Sequence, residues 1–279
     1  MKNKKIIIPT IISIIILTLF CLWQNNVLKT SYYTISSHEI PKNFDEYCIV
    51  QISDLHNKKF GRKQQYLMDQ IKELDPDMIV VTGDIVDSNH TDIDTAVTFL
   101  EEAMKMAPCY YVTGNHERWL DDDVYDQLMS RIEQTGTIIL DNEVTSINTE
   151  SDDKENTADL VLIGLDDGSL LGNTLHELSK DIDKEKFVVL LAHEPQNMEF
   201  YCMENVDLIL SGHAHGGQFR LPIVGGLVAP DQGFLPKYTE GLHVENDVVM
   251  IISRGLGNSI IPLRIMNQPD IVCVELETE

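Results

Sequence analysis

Five apolar stretches of this 279-residue chain end in side chains that could bind a metal ion. In chain order these side chains are Asp54 and His56, Asp84, Asn115, His193, and then His213 and His215. Taken singly, each has an ordinary structural explanation, such as a turn, a helix cap or a buried histidine. As a set they are more informative, because ligands of open α/β sheets bind at the carboxyl ends of the strands. The set therefore predicts a metal site at that edge.

The chemistry of the seven donors indicates which ions they would hold. No cysteine is among them, which argues against a structural zinc site built on thiolates. Carboxylate, imidazole and amide groups together suit Mn, Fe or Zn ions and suit Ca poorly. Seven donors are too many for one tetrahedral site. They suit two ions about 3.5–4 Å apart that share a bridging carboxylate.

Strands that alternate with helices would bring these donors together. Apolar runs typical of buried strands occupy residues 47–56, 77–84, 109–117, 160–167, 187–195, 206–215, 247–257 and 269–277. Helical spacing of apolar residues occurs over residues 63–76, 92–107, 121–136 and 174–182. The polar run 148–159 is predicted to be a surface loop. Unbroken apolar strands between helices predict an α/β fold whose strands are covered on both faces.

The amino terminus has the pattern of a membrane anchor. Residues 6–23 carry no charge, and three lysines, Lys2, Lys4 and Lys5, precede them. A cleaved signal peptide would need small residues after the apolar run, and a lipoprotein would need one before Cys21, where Phe20 stands. An uncleaved signal anchor fits better than either of these or than a buried core helix. The positive-inside rule then places the amino terminus in the cytoplasm.

This pattern divides the chain into three parts. We expect a basic cytoplasmic head and transmembrane signal anchor over residues 1–30, a linker over 31–45 and one enzymatic domain over 46–279. The protein would be a single-pass protein of the cell membrane with that domain outside the cytoplasm. Its net charge of −24 argues against a nucleic-acid partner, because phosphate backbones attract lysine and arginine.

The donor series, quoted as it stands, resembles the motif series of the calcineurin-like metallophosphoesterases. The matching elements are Asp54-x-His56, Gly83-Asp84, Gly114-Asn115-His116-Glu117, His193 and Gly212-His213-x-His215. The stretches "GHAHGGQFRLP", "PKYTEGLH" and "SRGLGNS" are most similar to the bacterial membrane-associated, phosphodiesterase-like subgroup. The resemblance covers about residues 46–277. It implies a two-sheet β-sandwich flanked by helices, in four layers, behind the transmembrane helix.

The resemblance also implies a role for each donor. Three side chains would hold the first ion: Asp54, His56 and His215. Three would hold the second: Asn115, His193 and His213. Asp84 would bridge two divalent transition-metal ions, Mn first, with Fe, Zn or Co as the other candidates. A hydroxide shared by the ions would attack phosphorus, and His116 would stabilise the phosphoryl oxygens or protonate the leaving group.

Five other residues have two interpretations each. Arg254 and Arg220 could contact a substrate phosphate, and the alternative for each is an ordinary ion pair. Tyr238 could line the cleft or belong to the core. Glu117 and Asp87 could accept hydrogen bonds around the metal site, or could cap a turn or face solvent.

The predicted activity is therefore hydrolysis of a phosphoester close to the membrane, either a phosphodiester or a lipid pyrophosphate. A metal-dependent amide hydrolase is one alternative, although an asparagine ligand such as Asn115 is unusual in peptidases. A non-catalytic metal-binding module is the other, and the presence of His116 argues against it. The expected partners are a phosphoester substrate, lipid-linked if it lies in the bilayer, and the membrane itself.

Overall fold

The computed structural model describes residues 2–149, 159–168, 173–259 and 261–279, with the side chains described from Ile8 onward. Most of the predicted surface loop 148–159 lies outside the described residues. The helices of the described part are α1 (Lys2–Asn26), α2 (Gln65–Glu73), α3 (Ile93–Ala103), α4 (Asn115–Arg118), α5 (Asp122–Gln134), α6 (Thr174–Ser179) and α7 (Met198–Tyr201).

The strands of the amino-terminal half are β1 (Lys29–Ser37), β2 (Tyr47–Ile52), β3 (Met78–Thr82), β4 (Cys109–Val112), β5 (Ile138–Ile139), β6 (Glu143–Ile147) and β7 (Leu160–Gly164). Those of the carboxyl-terminal half are β8 (Val188–Leu191), β9 (Leu208–Ser211), β10 (Arg220–Leu221), β11 (Gly225–Gly226), β12 (Val228–Ala229), β13 (Gly233–Phe234), β14 (Gly241–Glu245), β15 (Val248–Ile252) and β16 (Asp270–Thr278). Every strand and helix predicted from the apolar pattern is present, with shifted ends.

Two mixed sheets of six strands form the body of the fold. The first has the order β1-β16-β2-β3-β4-β5, and the second has the order β14-β15-β9-β8-β7-β6. Strands β2, β3 and β4 are parallel to one another, as are β7, β8, β9 and β15. Two small hairpins, β10–β11 and β12–β13, lie outside the sheets.

The cores show how the layers stack. One apolar cluster joins the two sheets, with Val80 and Val112 from the first sheet and Leu162 and Val189 from the second. A second cluster packs the other face of the first sheet against α2, α3 and α5. A third packs the second sheet against α6 and α7. The order helix–sheet–sheet–helix is the predicted four-layer sandwich, and it explains why β3, β4, β7, β8 and β9 are buried along their whole length.

Much of the expected linker 31–45 belongs to the fold instead, since Ile35, Ile40 and Phe44 are buried in the apolar cluster between the sheets. Residues 29–37 form β1, an edge strand that pairs in parallel with β16 over nine positions. Its sequence, KTSYYTISS, is polar and only Ile35 is buried, so it lacks the apolar run that reveals a strand. The polar edge strands β6 and β14 escape prediction for the same reason. Edge strands need one buried face at most, and their pairing depends on partners distant in sequence.

Helix α1 is the predicted apolar segment. Its portion Ile8–Asn26 has a mean hydropathy of 1.8 and is only 6% buried, so it is long and apolar enough to cross a membrane. Pro9 lies inside the helix, three residues after the apolar stretch begins at Ile6.

Candidate metal centre

Seven polar side chains from both sheets meet in one buried cluster, at the carboxyl ends of β2, β3, β8 and β9 and at the start of α4. They are the seven predicted donors: Asp54, His56, Asp84, Asn115, His193, His213 and His215. Each is at most 7% exposed. The cluster has two halves, and Asp84 belongs to both.

The first half combines Asp84 with donors from the β2 and β9 ends. His56 Nε2 lies 3.2 Å from His215 Nε2 and 3.5 Å from Asp84 Oδ2. Asp54 Oδ1 lies 3.6 Å from His215 Nε2 and 3.9 Å from His56 Nε2. Four ligand atoms from three segments of the chain therefore face one another.

The second half combines the same carboxylate with donors from α4, β8 and β9. His193 Nε2 lies 3.3 Å from Asp84 Oδ2, 3.2 Å from the side-chain oxygen of Asn115 and 3.2 Å from His213 Nδ1. The amide of Asn115 therefore belongs to this half.

Hydrogen bonds on the outer nitrogens determine which atoms of this half carry lone pairs. His193 Nδ1 lies 2.7 Å from the carbonyl oxygen of Thr82, which can only accept, so Nδ1 donates. His213 Nε2 lies 3.0 Å from a carboxylate oxygen of Asp231 and donates to it. If both rings are neutral, the two nitrogens that face each other, His193 Nε2 and His213 Nδ1, therefore both lack a proton. Such an arrangement requires a cation between them, either protons or a metal ion.

The separations fit ligands that share a metal ion. Bonds of about 2.0–2.2 Å from Zn or a similar ion to nitrogen and oxygen give tetrahedral ligand–ligand separations of about 3.3–3.6 Å. The observed separations run from 3.2 to 3.9 Å. The donors present therefore fit two ions that share Asp84.

The electrostatics of the cluster also favour cations. Burial raises the pKa of the Asp54 carboxyl to about 6 and lowers the pKa of the His56 imidazole to about 4. Burial acts in the same direction on His193, but the carboxylate of Asp84 outweighs it and raises the pKa of His193 well above its usual range. The anionic carboxylates thus attract positive charge into a site that solvent does not reach.

The backbone places these side chains at a conformational cost. Five of the seven donors have positive φ angles: Asp54 (51°), His56 (43°), Asp84 (53°), His213 (66°) and His215 (46°). Residues other than glycine rarely adopt this left-handed region, and such strain concentrates at functional sites. Gly83 has a φ of 84°, and a Cβ there would lie 2.5 Å from His193 Nδ1, so only glycine allows the approach.

Glu117 supports the cluster from behind. Its carboxylate accepts hydrogen bonds from the backbone N–H groups of Asp84 and Gly114, at 2.8 Å each, and from that of Val86 at 3.2 Å. It thereby ties the start of α4 to the loop that follows β3. Burial and the nearby charge of Asp84 raise the pKa of Glu117 to about 8. The structure agrees with both the hydrogen-bonding and the capping interpretation, because Gly114 is the residue before α4, and the buried Glu117 does not face solvent.

His116 lies beside the cluster and has its own partners. Its Nδ1 accepts a hydrogen bond from the backbone N–H of Ser88 at 3.1 Å, and its Nε2 lies 3.1 Å from Ser259 Oγ. Asp87 Oδ1 lies 3.9 Å from His116 Nδ1. The ring packs edge-on against His56, with 4.5 Å between the ring centres. The imidazole is therefore adjacent to the first half of the cluster, with Nε2 as its donor.

The three predicted substrate-binding residues have acidic partners. Arg220 and Arg254 both pair with Glu240. Tyr238 donates to Glu245 at 2.9 Å and packs in the apolar cluster behind the second sheet. For these residues, the contacts agree with the ion-pair and core interpretations.

Sequence reasoning missed three residues that contact the donors. Arg264 is fully buried, and its Nη2 lies 3.5 Å from His215 Nδ1. Asn267 donates to the carbonyl oxygen of His215 at 2.7 Å, and Asp231 accepts from His213. All three lie in irregular segments without an apolar pattern, so nothing in the local sequence marks them.

Comparison with known proteins agrees with this geometry. A family profile described as calcineurin-like phosphoesterase matches residues 48–217. The "Uncharacterized metallophosphoesterase YkuE" of Bacillus subtilis (strain 168) is 32% identical, over 91% of this chain and 87% of its own. The "Phosphodiesterase YaeI" of Escherichia coli (strain K12) is 29% identical, over 82% of this chain and 81% of its own. The "Transmembrane protein with metallophosphoesterase domain" of Bos taurus is 30% identical, over 86% of this chain and 55% of its own.

Proposed function

The chain belongs to the calcineurin-like phosphoesterase family, and from this premise we propose that it hydrolyses a phosphoester at the membrane by means of two divalent ions. The observation that carries the proposal is the position of Asp84 between two groups of buried donors. One carboxylate oxygen, Asp84 Oδ2, lies 3.5 Å from His56 Nε2 and 3.3 Å from His193 Nε2, so it can serve both groups, whereas an imidazole nitrogen serves one ion. The family is one of metal-dependent phosphoester hydrolases, and the finer statements about ions, roles and substrate are our proposals.

We assign the donors to the two ions according to the halves of the cluster. Asp54, His56 and His215 would hold one ion, and Asn115, His193 and His213 the other, with Asp84 shared. When bound, the ions would supply a hydroxide nucleophile near neutral pH and positive charge for the phosphoryl oxygens. The mixture of carboxylate, imidazole and amide ligands favours Mn, with Fe, Zn or Co as the other candidates.

His116 is the proposed catalytic side chain outside the ligand set. Because Ser88 N–H donates to Nδ1, the proton of the neutral ring is on Nε2. That N–H now faces Ser259 Oγ and could instead donate to a phosphoryl oxygen, or give its proton to the leaving alkoxide. The backbone N–H of Ser88 therefore fixes the tautomer that either role needs.

The two alternative functions make different demands on the site. An amide hydrolase would not explain the side-chain oxygen of Asn115, 3.2 Å from His193 Nε2, among the ligand atoms. A non-catalytic metal-binding module would have no use for the oriented Nε2–H of His116. Both features are accounted for if the site stabilises a phosphoryl group.

Metal removal and replacement test the proposal. We expect the purified protein to hold close to two transition-metal ions per chain, measured by elemental mass spectrometry. EDTA should abolish hydrolysis of bis-p-nitrophenyl phosphate or p-nitrophenyl phosphate, and Mn should restore it best. A chromogenic peptide, assayed in parallel, should remain uncleaved. Full activity after exhaustive chelation would contradict the two-ion mechanism, and cleavage of the peptide alone would favour the amide hydrolase.

A further inference from the structure

The last turn of α1 is docked on the enzymatic domain. The side-chain oxygen of Asn25 accepts from the backbone N–H of Arg264 at 3.0 Å and from the amide of Asn258 at 3.1 Å. The side-chain oxygen of Gln24 accepts from the backbone N–H of Asn267 at 3.0 Å. Strand β1 then begins at Lys29, so no long linker separates the helix from the sheet. The helix and the described residues of the loop, Asn258 and Arg264–Asn267, therefore hold each other in a defined arrangement.

A groove of about 650 Å³ lies between α1 and the domain. One wall is a single face of the helix, formed by Leu17, Thr18, Cys21 and Leu22. The other wall includes His56, Lys58, Asn258, Pro262 and Leu263. One side of the groove thus belongs to the segment that could cross a membrane, and the opposite side reaches a predicted metal ligand.

These two walls suit two chemically different parts of one molecule. The ammonium group of Lys58 donates to the carbonyl oxygen of Asn25, which holds its positive charge in the groove, where it attracts phosphate. His56 joins the same wall to the metal cluster. The leucines of α1 offer apolar contact on a helix that is otherwise almost uncovered by protein. We propose that the groove admits a phosphorylated lipid, whose phosphate reaches the metal cluster while its hydrocarbon chain lies along α1. This inference rests on the proposed phosphoester hydrolysis and names its substrate class.

The surface around the groove is consistent with a position at the bilayer. The loop that holds α1 exposes Ile261 (38%) and Met266 (50%). Arg220 N–H donates to Ile265 O at 3.0 Å, which joins this loop to the hairpin β10–β11. The tip of that hairpin exposes Ile223 and Val224. Exposed apolar residues beside a membrane helix suit the interface between headgroups and hydrocarbon, where they would keep the groove open to lipid.

A soluble phosphoester would gain little from the α1 wall. A lipid chain that leaves the bilayer needs a protein surface that replaces its apolar surroundings, because each methylene group exposed to water costs free energy. The groove provides that surface in contact with the metal cluster. The same wall would contribute nothing to a nucleotide or a small phosphate ester.

The test uses the full chain with its metals, reconstituted in phosphatidylcholine vesicles. The lipid probes are phosphatidic acid, phosphatidylglycerol and a polyprenyl pyrophosphate, and the soluble probe is bis-p-nitrophenyl phosphate. Cys21→Trp would fill the groove from the helix side. Ile16→Trp is the matched control, because Ile16 lies on the opposite face of α1 and is 61% exposed. The measured quantity is kcat/KM for each lipid divided by kcat/KM for the soluble probe.

We expect Cys21→Trp to lower this ratio at least about tenfold, since burial of only a few methylene groups accounts for such a difference. Ile16→Trp should stay within about twofold of the unmodified protein. Leu17→Ser, which makes the wall polar without adding volume, should raise KM for the lipid more than it lowers kcat. It serves as the second variant if Cys21→Trp loses its metals.

The outcomes separate this inference from the function on which it rests. Equal loss on lipid and soluble probes in both groove variants, or no change in the ratio, would overturn the groove as a lipid site. Hydrolysis of the soluble probe with no hydrolysis of any lipid by the unmodified protein would also overturn it. Failure of the metal-loaded protein on every phosphoester would instead contradict the proposed function.

Discussion

At the scale of single residues, the proposed metal ligands and the proposed proton donor His116 have different hydrogen-bond partners. His116 follows Asn115 directly, yet the side chain of Asn115 faces His193 whereas His116 is held by Ser88 and Ser259. Its backbone N–H donates to Asp84 Oδ1 at 2.9 Å, so the main chain of His116 also positions the shared carboxylate. The imidazole can thus be removed without removing that backbone contact.

His116→Ala should therefore keep both metals and the fold while its turnover falls by roughly 10²–10⁴, the usual effect of losing a general acid or a transition-state donor. Elemental analysis and kcat on phosphodiesters with good and poor leaving groups would measure this. A smaller loss with p-nitrophenolate as leaving group would indicate protonation, and equal losses would indicate charge stabilisation.

Two comparison variants sharpen the result. Asp84→Asn should lose or weaken both metals, because it removes the charge that the two halves of the cluster share. His176→Ala should behave like the unmodified enzyme, since His176 pairs with Glu204 and its side chain is 54% exposed. Loss of metal from His116→Ala would show that this residue belongs to the ligand set.

At the scale of elements, β1 changes where the domain can be cut. The strand covers the edge of β16 along nine residue pairs, buries Ile35 and places Ser31 Oγ 2.9 Å from a carboxylate oxygen of Asp270. Asp270 is itself buried, and burial raises the pKa of its carboxyl to about 6. Removal of β1 would expose both that carboxyl and the hydrogen-bonding edge of β16.

A chain that starts at Leu28 should consequently be more stable than one that starts at Glu39. We expect the thermal midpoint of the shorter chain to be lower by at least about 5 °C, because loss of a buried isoleucine alone costs about 2–5 kcal/mol. Differential scanning calorimetry and size-exclusion chromatography would measure stability and aggregation.

Point variants within β1 give a matched control. Ile35→Ala should reproduce part of the loss, whereas Tyr32→Ala should change stability little, since Tyr32 is 69% exposed. Equal stability of the two truncated chains would show that β1 is dispensable and that the domain begins after it, as the linker over residues 31–45 predicts.

At the scale of the whole molecule, α1 and the domain act as one unit if the protein spans the membrane. The lysines before the apolar segment favour a cytoplasmic amino terminus, so we propose that the domain lies outside the cytoplasm. The docked end of α1 would then hold the metal cluster close to the outer surface of the bilayer.

A reporter enzyme that is active only outside the cytoplasm, fused after Glu279, should be active, because the positive-inside rule orients α1 with its lysines inside. The same fusion should pellet with membranes at full length. Replacing Lys2, Lys4 and Lys5 with glutamine is the control, and it should weaken the orientation. An inactive reporter would place the domain in the cytoplasm, and a shortened chain in the medium would indicate a cleaved signal peptide.

Much of this architecture is local in origin and could be predicted from the sequence. Apolar runs such as β3 and β9 must be buried wherever they pack, and polar residues at the ends of parallel strands of one sheet lie at the same edge. That the edges of two separate sheets meet is decided by the tertiary structure. For that reason the sequence alone identifies Asp84, His213 and the other five side chains as candidate ligands. The length of segment 6–23 and its lack of charge likewise predict a helix that could cross a membrane.

Only the tertiary structure decided what depends on distant partners. The polar strand β1 becomes a strand because β16, some 240 residues later, offers it an edge. Glu240 determines that Arg220 and Arg254 form ion pairs, and no spacing in the sequence shows this. The groove exists because Asn25 docks on the loop around Arg264. Local patterns specify which segments must be buried. They do not specify which distant segment each one pairs with, because that choice depends on the packing of the whole fold.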